Sequence, residues 1–122
     1  MNEQKTNRAK TVVRLADPVT LFDKQIYEIV LREPGGGLYG RLGEPRVMVY
    51  NATGSGYYVE QSAVVVAYIN ELIDHEHGDV LFGLLSLEDA KGVKEALFDL
   101  FTAAEARLAT RRRISSSSAS AS

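Results

Sequence analysis

From Ser86 onward the chain carries a pattern that a long amphipathic helix satisfies. Ala90, Val93, Leu97, Leu100, Phe101, Ala104 and Leu108 recur at spacings of three and four. At 3.6 residues per turn they form one stripe along about six turns, with Lys91, Lys94, Glu95 and Asp99 off it. Ser86-Leu87-Glu88-Asp89 resembles a capping box, with Ser86 as N-cap and Asp89 where Glu or Gln is usual, and its acids suit the positive end of the helix dipole. A stripe this long is expected to be covered, by the rest of the chain or by a partner. Upstream, Ala63 to Ile69 is seven apolar residues in a row, and the length to Asp74 predicts a helix apolar on nearly all sides. Asp79 to Leu85 adds one helical turn or two.

Two strands precede these helices. Thr11 to Leu15 mixes β-branched residues with Arg14, and Gln25 to Arg32 places Tyr27, Ile29 and Leu31 on one face with Glu28 and Arg32 opposite. Asp17-Pro18 and Phe22-Asp23-Lys24 supply turn chemistry, so the strands form an antiparallel hairpin over 11–32, with Pro18 at an edge or bend. Pro34 ends the second strand. The following stretch holds seven of the ten glycines and four of the six tyrosines. Over 36–56 helix and strand both stay open: Arg46 to Tyr50 reads as a strand and Asn51 to Gly56 as a turn, while Gly40 and Gly43 would each cost a helix about 1 kcal/mol. The fold class is α+β: a small N-terminal antiparallel β-hairpin followed by a bundle of about three helices. One domain spans 11–108 (hairpin 11–32, helical part 36–108), between a disordered basic N-terminus at 1–10 and a disordered Arg/Ser-rich tail at 109–122.

A chain of 122 residues can bury enough surface for one core without a metal or disulfide. The absence of cysteine removes disulfides, thiolate zinc sites and Cys nucleophiles together. No apolar run approaches the roughly 18 residues of a membrane span, and Met1 to Lys10 lacks an apolar signal region, so a soluble cytoplasmic protein is expected. Charge is segregated. Leu15 to Ala106 carries six basic and fifteen acidic residues, a net of −9, whereas Lys5, Arg8, Lys10 and Arg14 at one end and Arg107, Arg111, Arg112 and Arg113 at the other are basic. An acidic body repels phosphate backbones, so no nucleic-acid partner is expected; Arg111-Arg112-Arg113 reads as a solvated helix end favoured by the dipole.

The remaining motifs carry no chemistry. Gly35-Gly36-Gly37-Leu38-Tyr39-Gly40 matches G-x-G-x-x-G, but Gly43 and Pro45 interrupt the helix a dinucleotide fold needs, so a hinge is the simpler reading and nucleotide binding at Gly35–Gly40 a minor alternative. His75 and His77, in Asp74-His75-Glu76-His77-Gly78-Asp79, would diverge by about 200° on a helix and have no third histidine to join them. There is no G-x-S-x-G, and Asn51-Ala52-Thr53 is only a formal glycosylation sequon. No catalytic residue, cofactor or metal is expected. The chain reads as a binding protein, not an enzyme.

The order of elements, with Leu31-Arg32-Glu33-Pro34 closing the second strand and Ser86-Leu87-Glu88-Asp89 opening the last helix, resembles the tail assembly chaperone family of Mu-like and P2-like bacteriophages over about Thr11 to Leu108. The chain departs from that pattern at Gly35-Gly36-Gly37 and at Asn51 to Gly56, where relatives have better helix formers. The resemblance implies a protein that binds the tape measure protein, keeps it soluble, helps recruit tail tube protein around it, and leaves the finished tail. It implies action in the cytoplasm of the bacterial host and absence from the mature virion; the alternative is a small structural or adaptor protein of the tail. Helix-in-groove recognition of a helical tape measure would use Val65, Ile69 and Leu72 on one helix and Val93, Leu97, Leu100, Phe101 and Ala104 on the other, or would let the chain self-associate as a homo-oligomer.

Overall fold

The structure, a computed structural model, describes residues 9–121, with side chains described through Ser115. The fold is α+β. Strands β1 (Lys10–Leu21) and β2 (Lys24–Arg32) form an antiparallel hairpin, followed by helix α1 (Gly36–Leu42), a second antiparallel hairpin of β3 (Arg46–Tyr50) and β4 (Gly56–Glu60), and helices α2 (Ser62–Leu72), α3 (Gly78–Gly83) and α4 (Leu87–Ala121). The stretch left open between helix and strand contains both. The expected helical part at 36–108 is therefore interrupted by a sheet, because Val47, Val49, Tyr50 and Tyr57 to Val59 are β-branched and aromatic residues that prefer extended backbone. Asn51 organises the connecting loop: its Oδ1 accepts from Thr53 N at 3.0 Å, Thr53 Oγ1 at 2.7 Å and Ser55 N at 3.0 Å.

The first hairpin turns within the expected Phe22-Asp23-Lys24 segment, with a phenylalanine at an unusual place. Leu21 pairs with Lys24, leaving Phe22 and Asp23 at φ 49° and 64°, as a two-residue turn of the I′ kind requires. Phenylalanine rarely occupies that region, and its ring, 68% exposed, gains only an edge contact to His77 with centroids 4.9 Å apart. Substituting Phe22→Asn together with Asp23→Gly is expected to relieve roughly 1–2 kcal/mol of backbone strain and lose about 0.5 kcal/mol of ring contact. The net gain should raise the melting temperature by several degrees in a thermal melt.

Between Arg14 and Val19 the register slips, so that four residues of β1, Leu15 to Pro18, oppose Tyr27 alone. Pro18 lies in this bulge, where its missing N–H breaks no ladder bond. The bulge also re-aims β2. Ile29 and Leu31 are fully buried as their alternation predicts, but Tyr27, expected on the same face, is 60% exposed, and Ile26 packs on the core instead.

The core lies between this hairpin and the helices. Leu21, Ile29 and Leu31 pack with Val65, Tyr68, Ile69, Leu72 and Ile73, with Leu81 of α3, and with Val93, Ala96, Leu97 and Leu100 of α4. Tyr68 spans to α1: its hydroxyl donates to Gly43 O at 2.6 Å, capping the point where positive φ at Gly43 ends that helix, and burial raises its pKa. Asp74 N donates to Val30 O at 2.8 Å, tying the end of α2 to β2.

At the start of α4, Ser86 Oγ accepts from Asp89 N at 3.2 Å, as the capping reading expects. The Asp89 carboxylate turns outward from its own helix. It accepts from Ala16 N at 2.8 Å and Asp17 N at 2.9 Å, satisfying the two amides the bulge freed and fastening β1 to the helix. Asp89 is the one buried charged residue among those described.

At the other end, the tail expected to be disordered from residue 109 continues α4 to Ala121. Extending an existing helix adds a bond per residue without repeating nucleation, and Ala109 and Arg111 to Arg113 are good formers, which the composition-based expectation left out. Of the disorder expected over residues 1–10, residues 1–8 fall outside the described part of the chain, whereas Lys10 is ordered by pairing with Arg32 as the first residue of β1.

Candidate functional site

The eight residues expected to meet a partner divide sharply. Val65, Ile69, Leu72, Val93, Leu97 and Leu100 are buried, none more than 5% exposed, and pack on one another and on the first hairpin. The hairpin and helices together cover both stripes, so in the closed domain these side chains face the core, Leu100 alone also bordering a cleft. Phe101 and Ala104 are half-buried. Phe101 stacks edge-on against Tyr68, with centroids 5.2 Å apart, and leans on Tyr39 at 6.1 Å.

These two residues line a cleft of about 320 Å³ between α1 and α4. Leu100, Phe101, Ala104 and Leu108 make its apolar floor, and the carboxylates of Glu33, Glu44 and Glu105 stand around it. Glu33 is paired with Arg107, and Glu44 accepts from the Tyr39 hydroxyl, which raises the pKa of that phenol. Gly35 and Gly36 border the same cleft, where three acids oppose a phosphate; α1 is also only a seven-residue helix.

The larger apolar exposure lies on β3–β4, which the sequence reading did not single out as a site. Cross-strand register places Val47, Val49, Tyr57 and Val59 on one face and Arg46, Met48, Tyr50, Tyr58 and Glu60 on the other. Val47 is 38%, Met48 41%, Tyr57 53%, Tyr58 54%, Val59 40% and Tyr50 69% exposed. What ties the ribbon to the body lies at its base. Gln61 N donates to Pro45 O at 2.8 Å and closes the ribbon, while Lys94 bridges to Glu60 at 3.1 Å and the Arg46 guanidinium sits between the rings of Tyr58 and Phe98, 4.2 and 4.5 Å from their centroids. A two-stranded ribbon is marginal alone, and this one leaves both edges unpaired in its sheet and apolar side chains on both faces. The signal was present in RVMVY and GYYVE, alternating runs without a polar face.

His75 and His77 stack loosely, with ring centroids 5.9 Å apart, and His77 N donates to His75 Nδ1 at 3.0 Å. Among the described residues no three His, Cys, Asp or Glu side chains come together as a metal site, and no helix is long and apolar enough to cross a membrane. No family model, curated protein or solved structure matches the chain.

Proposed function

We propose that the chain is a tail assembly chaperone of a Mu-like or P2-like bacteriophage, which binds the tape measure protein and keeps it soluble while tail tube subunits are recruited around it. It works by binding and not by catalysis, in the cytoplasm of the bacterial host, and it leaves before the virion is complete. The observation that carries this reading is the β3–β4 ribbon. Its exposed Val, Met and Tyr side chains and open edges offer an apolar client both side-chain contact and backbone pairing. The first hairpin closed by Leu31-Arg32-Glu33-Pro34 and the last helix opened by Ser86-Leu87-Glu88-Asp89 add support through the family resemblance, from which the β3–β4 sheet departs. The acids around Gly35–Gly40 weigh against the nucleotide reading.

Finding a tape measure gene beside this one and co-expressing its product with this chain tests the proposal. The client's soluble fraction should rise severalfold with this chain present, and the chain should be missing from purified tails by mass spectrometry. A client equally insoluble with and without it would refute the chaperone reading, and recovery of the chain in purified tails would replace it with the structural-adaptor one.

A further inference from the structure

Helix α4 outruns the body it packs on. Leu100 is its last buried residue, Phe101 and Ala104 are half-buried, and every described side chain from Glu105 to Ser115 is exposed. At 1.5 Å per residue, Glu105 to Ser115 is about 17 Å of helix whose side chains are all exposed, held to the body through Arg107 and Glu33.

The face it presents is divided by charge. The residues flooring the cleft, Leu100, Phe101, Ala104 and Leu108, continue at helical spacing into Arg111 and Arg112. One half of this face is thus apolar and walled by Glu33, Glu44 and Glu105, and the other half is cationic. Among the described residues neither Glu105 nor any of Arg111, Arg112 and Arg113 makes an ion pair.

The geometry points to a second copy of this chain as the occupant: two α4 helices pair antiparallel about a two-fold axis at Leu108, each laying its cationic end along the other's acid-walled cleft. In such a pairing, residues about equally far before and after Leu108 share a level of the seam, and those on the same flank meet. Leu108, 42% exposed, meets Leu108 of the second copy, and Glu105 meets Arg112 of the second copy. Ala104 faces Arg111 of the second copy, its small side chain leaving the guanidinium room to reach into the acid-walled cleft. The contact is isologous, so every favourable pair occurs twice and the assembly closes at two. Parallel pairing would set arginines against arginines and carboxylates against carboxylates, which charge repulsion disfavours. The β3–β4 ribbon takes no part in it, so the inference stands apart from the identity of any client.

Sedimentation equilibrium on the full chain tests the pairing. At an ionic strength of about 0.05 M the mass should approach twice 13.4 kDa, falling toward the single-chain value as salt screens the charge pairs. Leu108→Lys, at an exposed position, should give a monomer. Glu105→Arg and Arg112→Glu should each weaken association about tenfold or more, and the two combined should restore it. A monomer at all concentrations up to the hundred-micromolar range would overturn the inference. So would a dimer indifferent to Leu108→Lys, or charge reversals that the double variant fails to rescue.

Discussion

Leu97→Asp is expected to leave the chain without a cooperative melting transition at room temperature. Leu97 is fully buried among Val93, Leu100 and the strands of the first hairpin. Removing its side chain alone costs about 3 kcal/mol, and an aspartate there must also be desolvated or protonated, which brings the total to about 5 kcal/mol or more. Domains of this size hold roughly 5–15 kcal/mol in all. Leu97→Ala separates the two effects: it should melt cooperatively, at a temperature lower by roughly 10–20 °C. Circular dichroism through a thermal ramp reads both. A folded Leu97→Asp chain of near-wild-type stability would mean that the stripe on α4 is a surface after all.

Asp89→Ala removes the one side chain that satisfies the amides freed by the bulge, leaving Ala16 N and Asp17 N unpaired where β1 meets α4. A fall in melting temperature of roughly 5–10 °C is expected. The same residue sets an acid limit. The amide of Ala16, then that of Asp17, hold its carboxyl below the usual carboxylate range. A group whose pKa is lowered on folding stabilises the fold fully above its unfolded value of about 3.9, and that contribution fades as pH drops through the lower folded value. Wild-type stability should therefore fall below about pH 4, and Asp89→Ala should flatten that part of the profile while lowering the plateau above it. A variant with an unchanged plateau would show that the amides find other partners.

Asp89 also shows where sequence reasoning stops. Its place in a capping motif is local, three residues from Ser86, and periodicity plus cap preference were enough to start α4 correctly. Its partners Ala16 and Asp17 lie more than seventy residues away, and only the assembled fold brings them together. The first hairpin was legible for the same local reasons, apart from Tyr27. The register slip at Leu15 to Pro18 reversed the facing of that residue, and alternation carries no signal for a slip.

The site was less legible than the fold because an apolar stripe at helical spacing looks alike whether it is covered or bare. Val65, Ile69, Leu72, Val93, Leu97 and Leu100 are covered, since the hairpin and the two helices close on one another. The β3–β4 ribbon is bare, and its unusual mark is in the sequence: Val47, Val49, Tyr57 and Val59 share a face while Met48, Tyr50 and Tyr58 occupy the other, so neither side offers the polar face of a half-buried strand. The extension of α4 past Leu108 was hidden by serine-rich composition, which speaks to the absence of a core and not to whether an established helix stops.

That β3–β4 is the client-binding face is tested most directly by repeating the co-expression with Val47→Lys and Tyr57→Glu combined. Both positions are exposed, and the two new charges are opposite and diagonal across the ribbon, so the hairpin keeps its pairing and the net charge is unchanged. The expected result is a variant with wild-type melting behaviour that no longer holds the tape measure protein in solution. A folded variant that still keeps it soluble would contradict the assignment of this ribbon as the binding surface.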